Sequence, residues 1–208
     1  MEGLIGRKVG MTQVFDDQGR RIAVTVIEAG PCPVVQVKVP ETDGYSAAQL
    51  GFDEQKPSRL SKAQVKHFEK AGVKPCKVTK EFALDEGEAV KAGDAVTVGM
   101  FDGVKYVDVS GITKGRGFAG VVRRYGMAGG PMTHGGHSKR RIGSIGARDL
   151  PGWVEKGKRM PGHMGNVNRK GRNLTVVQVR GEDNLLLVAG SVPGPKGGVV
   201  IIRKALKK

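Results

Sequence analysis

The sequence predicts a mainly β protein, a small β-barrel body with a short helical insertion and a long basic, glycine-rich extension. Three observations carry that reading. Short β-rich runs occur from residue 1 to about 110 and return after residue 172, with Gly, Pro or Asp near their joints. Residues 111–172 hold 14 Lys or Arg against two acids, Asp149 and Glu155, whereas the rest of the chain holds 21 against 18. The same stretch contains 16 of the 33 glycines and three of the four histidines.

Taken in order, the predicted strands are "IAVTVI" (22–27), "VVQVKV" (34–39), "AVTVGMF" (95–101) and "KYVDV" (105–109). Such runs mark a small twisted barrel or sandwich. A helix over 61–71 interrupts them, within a helical insertion at about 61–72. Ser61 followed by Gln64 forms a capping-box pattern, Val65 and Phe68 share a face, and Gly72 stands where a C-terminal cap belongs. Strand character resumes in "NLTVVQVR" (173–180), "NLLLVAG" (184–190) and "GGVVIIRKAL" (197–206). The last strands are therefore expected to complete the barrel begun by the first, which gives a body of residues 1–110 with 173–208 and makes 111–172 a long extension.

Charge bounds the function. A formal +15 and a pI near 10.0 call for a polyanionic partner. Nucleic acid fits better than a membrane, because there is no basic amphipathic helix and no run near the ~18 apolar residues a span needs. The N-terminal "MEGLIGRKVGMTQVF" lacks the apolar core of a signal peptide, so a cytoplasmic location is expected. In that reducing compartment Cys32 and Cys76, which sit in no paired motif, are expected as buried thiols rather than a disulfide.

Ordering a residue's backbone costs roughly 1–2 kcal/mol, so the 62 residues of 111–172 cost on the order of 60–120 kcal/mol, with few large apolar groups to offset it. Much of the stretch is expected to be mobile in the free chain. A polyanion changes that balance through charge-assisted contacts. The candidate RNA-binding residues are Lys114, Arg116, Arg123, Arg124, His134, His137, Lys139, Arg140, Arg141, Arg148, Lys156, Lys158, Arg159, His163, Arg169, Lys170 and Arg172. Within "GGPMTHGGHSKRRIGSIG" (129–146), Lys139, Arg140 and Arg141 are expected to supply charge, and Gly135, Gly136, Gly143 and Gly146 to supply backbone shape or clearance.

Several motifs point elsewhere and fail on their own chemistry. "GRGFAG" (115–120) spells G-x-G-x-x-G, but the region where a dinucleotide site needs an acid reads "THGGHSKRR". "GWVEKGKR" (152–159) nearly spells a P-loop, yet Arg159 stands where the metal-binding hydroxyl belongs. His134 and His137, with His163 further on, have no nearby Cys or carboxylate to complete a metal set. No nucleophile with an adjacent base can be assembled. The sequence therefore predicts no enzyme, cofactor, metal or small-molecule substrate. Trp153, the only tryptophan, is either a base-stacking side chain or an apolar anchor for its own turn.

Four stretches carry a family resemblance: "GLIGRKVGMTQVF", "DVSGITKGRGFAGVVRRYG", "GSIG" and "GKRMPGHMGNVNRKGRNLTVVQVR". With Phe101, Asp108, Gly111, Thr113, Gly115, Arg116, Gly117, Gly120 and Arg124 at matching spacing, the chain resembles the bacterial form of protein three of the large ribosomal subunit. The resemblance covers essentially the whole chain. It implies a structural constituent of the large subunit whose barrel lies on the outside, binds large-subunit ribosomal RNA beside neighbouring ribosomal proteins, and aids early assembly. It further implies an extension whose tip nears the peptidyl transferase centre, here Gly146, Ala147, Arg148, Asp149, Leu150 and Pro151, with Trp153 beside them. Some relatives carry a methylated glutamine at the tip; this chain has Asp149, so that modification does not transfer. A carboxylate repels phosphate, which leaves a base edge, water, a metal ion or another part of the protein as the partner of Asp149. Two other classes stay open at this stage: an RNA-modifying enzyme with a basic substrate-binding insertion, and a freely exchanging regulatory RNA binder.

Overall fold

The computed structural model describes residues 1–85, 88 and 90–206. Its strands are β1 (Gly3–Phe15), β2 (Arg21–Ala29), β3 (Cys32–Lys38), β4 (Ala47–Glu54), β5 (Cys76–Ala83), β6 (Ala95–Val96), β7 (Tyr106–Ile112), β8 (Phe118–Ala119), β9 (Gly162–His163), β10 (Asn168–Arg180), β11 (Leu185–Ala189) and β12 (Val199–Lys204). Three helices accompany them: α1 (Pro40–Asp43), α2 (Lys62–Lys70) and α3 (Val121–Tyr125). None of the described helices is long and apolar enough to cross a membrane.

Six strands close an antiparallel barrel in the order β1-β12-β7-β10-β11-β2, so the last strands pair with the first. A second sheet has the order β5-β4-β3-β6. One core serves both. Leu4, Ile5, Ile27, Val109, Val188 and Ile202 from the barrel pack in the same cluster as Val34, Leu50, Phe52 and Phe82 from the sheet. Each such side chain stabilises the fold by about 1.5–3 kcal/mol through burial. On β3 the pleat sends Val34 into that core and Val35 the other way, against Phe68 of α2 and Cys76. Helix α2 starts on the predicted capping box: the Ser61 side chain accepts from the Gln64 N–H, and the Gln64 side chain accepts from the Ser61 N–H at 3.1 Å. Cys32 and Cys76 are both buried free thiols.

Four expectations need correction. The run 95–101 is not one strand: after β6 the chain turns into a 3-10 helix over Val98–Phe101. That turn drives Val98 and Phe101, three residues apart, fully into the core, which a strand could not do from one face. Strand character returns at Asn168 rather than 173, because the start of β10 pairs with the end of β7, Asn168 opposite Ile112. β1 is a 13-residue strand that none of the strand runs named from the sequence covers. β4 and β5 also lie outside those runs.

The chain divides into two compact units, one made of residues up to Ile112 with those from Asn168 on, the other Thr113–Val167.

Candidate nucleic-acid interface

The unit Thr113–Val167 is held by a narrow antiparallel ribbon formed by its two ends. The Thr113 N–H donates to the Val167 carbonyl at 3.0 Å, the Asn166 N–H to the Thr113 carbonyl at 3.1 Å, and the Thr113 hydroxyl also reaches Val167. Arg116 N–H donates to Met164 at 2.8 Å, Met164 N–H to Gly117 at 2.9 Å, and β8 then pairs with β9. The two sides of the ribbon approach closely at Gly165, where φ is +79° and a Cβ would fall onto the Lys114 carbonyl oxygen.

Helix α3 follows at once. It ends at Gly126, whose N–H closes onto the Val122 carbonyl at 2.9 Å. Arg124 turns inward, donating from Nη1 to the Met160 carbonyl at 2.6 Å, and lies 5.1 Å from the Tyr125 ring centroid; Arg159 lies 5.7 Å from the same ring. Tyr125 therefore joins α3 to the returning chain by one cation–π contact, that of Arg159, while Arg124 meets the ring from within the helix. Val121 and Ala119 are the buried apolar residues of this unit. From Met127 to Met160 the chain forms only turns and bends, such as Gly130 N–H to Lys139 at 3.1 Å and Lys158 N–H to Glu155 at 3.2 Å.

Charge is the property that stands out. This unit carries eleven Lys or Arg against Asp149 and Glu155. Arg124 is half-buried; the other ten are exposed. Among the described residues its ion pair is Arg148 Nε to Asp149 Oδ1 at 3.4 Å, between two nearly fully exposed side chains. The other unit matches many of its cations, for example Arg7 with Asp53 at 2.6 Å and Lys74 with Glu54 at 3.1 Å.

The predicted site residues fall into distinct settings. Lys114 and Arg116 lie on the ribbon and Arg123 and Arg124 in α3, while His163 is in β9. His134, His137, Lys139, Arg140, Arg141, Lys156, Lys158 and Arg159 all lie in exposed turns or irregular backbone. At the expected tip, Leu150 is 86% and Trp153 68% exposed, and Asp149 has a protein partner in Arg148. Arg169, Lys170 and Arg172 belong to β10, in the barrel. Lys170 is not a free cation, since its ammonium sits 2.8 Å from the Asp108 carboxylate.

Asp108 is the residue that sequence reasoning left without a role. It is buried, and its other oxygen accepts the Asn173 N–H at 2.8 Å, where the β10–β7 register shifts between Gly171 and Leu174 and Asn173 adopts φ +54°. Burial alone would raise its pKa, but Lys170, the Asn173 N–H and Arg172 together hold the carboxyl below its ordinary value. The one signal available was a lone acid within an otherwise apolar strand. Among the described residues no group of three or more His, Cys, Asp or Glu is placed to hold a metal.

A closed six-stranded barrel whose sequence is interrupted between β7 and β10 by a unit rich in unpaired cations and poor in core defines the class of protein. A family model described as Ribosomal protein L3 matches residues 54–184. Relatives named large ribosomal subunit protein uL3 align along the full chain: 51% identity in Brachyspira pilosicoli, covering 95% of that protein, and 49% in Alkaliphilus metalliredigens, covering 99%. In Corynebacterium jeikeium the identity is 47%, over all of this chain and 95% of the relative. The chain belongs to the ribosomal protein L3 family.

Proposed function

We propose that this chain is a structural, non-catalytic constituent of the large ribosomal subunit in the cytoplasm, and that it binds large-subunit ribosomal RNA through the basic stretch 111–172. The observation that carries the reading is the set of ten exposed cations on Thr113–Val167, with Arg148–Asp149 the ion pair among the described residues. Such a unit lacks counter-charge of its own, and a phosphate backbone supplies it at close spacing. Full-length similarity to proteins named for the large subunit supports that RNA as the source.

In this reading the division of labour follows from the chemistry. Lys139, Arg140, Arg141, Lys156 and Lys158 neutralise phosphates, while Arg124 holds the path of the chain by its bond to Met160. The segment around Gly146–Pro151 extends toward the peptidyl transferase centre, with Trp153 free to stack on a base. The body, 1–110 with 173–208, keeps to the outside of the subunit among neighbouring ribosomal proteins, and the basic stretch orders RNA early in assembly.

The test is cosedimentation of the tagged chain with large subunits in high salt. Stable retention, lost when Lys139, Arg140 and Arg141 are changed together to glutamine, supports the proposal. Free exchange onto unrelated RNA, or turnover that needs a cofactor, would sink it.

A further inference from the structure

The hairpin of β1 and β2 leaves a strand edge open. β12 pairs with β1 only from Gly3 to Arg7, and Lys8 finishes that side by bonding to Gly197 and Gly198. Beyond it, β1 runs on to Phe15 with β2 on one side, and among the described residues nothing is paired to the other side. The phase of the ladder says which groups face outward. Asp16 N–H donates to the Arg20 carbonyl at 3.0 Å, so Val14 and Thr12, two and four residues back, also bond to β2. Met11, Gln13 and Phe15 then direct their N–H and C=O away from the hairpin. The pairing on the far side of β2 agrees, since the Ala23 carbonyl, opposite Gln13, accepts from Gly190 of the β11 side at 2.8 Å.

The side chains along this edge are uncharged and partly apolar. "VGMTQVF" (9–15) has no charged residue in a protein of net charge +15. Val9 is 40%, Met11 54% and Phe15 63% exposed. Open edges in monomeric proteins are usually guarded by Lys, Pro or an inward charge, and this one has only the bulge between Lys8 and Gly10. From Val9 to Phe15 the edge strand itself offers a phosphate no cation, the neighbouring one being Arg21, opposite Phe15 on β2. An extended polypeptide matches it, because its donors and acceptors repeat at the strand spacing and its alternate side chains meet Met11 and Phe15.

We propose that the β1 edge from Val9 to Phe15 docks an extended, uncharged, apolar-alternating segment of a neighbouring protein in the large subunit by adding it as a strand. The inference rests on the membership proposed above. The test uses the full chain with the photo-reactive p-benzoylphenylalanine in place of Phe15, assembled into large subunits, purified by sedimentation and irradiated. A crosslink to one polypeptide segment of the subunit is expected, and it should be lost in Gln13→Pro, which removes an outward N–H that β2 does not use. Gln13→Lys, which places a charge on the edge without touching the backbone, should weaken it as well and guards against a distorted hairpin in the proline variant. A crosslink to RNA, to a second copy of this chain, or to nothing overturns the inference while leaving the ribosomal reading intact. So does a protein crosslink indifferent to both variants. A chain that does not sediment with the subunit at all overturns both.

Discussion

Removing Thr113–Val167 should leave the barrel folded and abolish most of the salt dependence of RNA binding. Ile112 and Asn168 are cross-strand partners, so a turn of about two to four residues can close β7 onto β10 in place of the whole unit. Of the eleven cations removed, Arg124 is bonded to Met160 and Arg148 lies beside Asp149, which leaves nine exposed and unpaired by acid. If about six to nine of these meet phosphates at ~0.7–0.9 counterions each, the unit contributes about −4 to −8 to the slope of log affinity against log salt. The assay is equilibrium binding to large-subunit RNA between 50 and 300 mM salt, roughly the range over which such slopes are read. In the deletion variant the slope should shrink to that of the residual contacts of Arg169, Arg172 and the body. A variant that melts like the intact chain and keeps the full slope would refute the reasoning, and would move the electrostatic interface onto the barrel.

Ser61→Ala removes the side-chain half of the α2 capping box, while the residue-61 N–H can still donate to Gln64, and should cost about 1 kcal/mol in denaturant unfolding, with RNA binding unchanged. Cys32 should resist alkylation in the native protein at pH 8, since burial pushes its thiol up to about 12. Because that folded value lies above the unfolded one, its contribution to stability is complete below the unfolded thiol pKa and declines as pH rises from there toward 12. Gly143→Ala should strain the free chain by about 1–2 kcal/mol at its φ of +78°, whereas Gly146→Ala should not, as no left-handed φ applies there and a Cβ would meet only the Trp153 carbonyl at 3.9 Å. Equal rates of tryptic cleavage at Arg140 and Arg141 in the two variants would refute that distinction.

Local pattern made part of this protein legible. Alternation marked β2, β3 and the strands from β10 on, and the Ser61 to Gln64 spacing marked α2, because each depends on neighbours within a few residues. β1 escaped because its first part is buried on both faces, with adjacent Leu4 and Ile5 both fully enclosed, and because Gly6, Arg7, Lys8 and Gly10 break any period of two. The run 95–101 misled because its β-branched composition matches a strand, while the core required Val98 and Phe101 on one side of a turn. In the candidate interface, the clustering of charge was legible and its use was not. Nothing local to Arg124 names Met160 as its acceptor, and nothing local to Lys170 names Asp108; both pairings are set by distant segments. The same holds for the four glycines singled out in 129–146. Gly135 and Gly143 adopt positive φ and Gly136 is crowded by the Pro131 carbonyl, but Gly146 has neither constraint in the chain itself.

The two units handle charge in opposite ways, and that difference bears on how the proposed function works. In the barrel unit acids are placed where cations are: Asp53 serves Arg7 and Lys77, and Lys38 lies between Asp43 and Glu81. These pairs are partly exposed and each stabilises the fold by about 1 kcal/mol at most, but they leave little uncompensated field. In Thr113–Val167 the exposed cations repel one another over a screening length of about 8 Å, and the two acids cannot balance them. A fold selected only for its own stability would not collect such repulsion where the buried apolar residues are Val121 and Ala119. The repulsion is relieved when phosphates enter among the cations, and the hydrogen bonds that define the turns then act with the electrostatics instead of against them. Under the proposed function the ordering of this unit and its binding to RNA are therefore one coupled event. The ribbon at Thr113 and Val167 and the Arg124 bond to Met160 fix where that event begins.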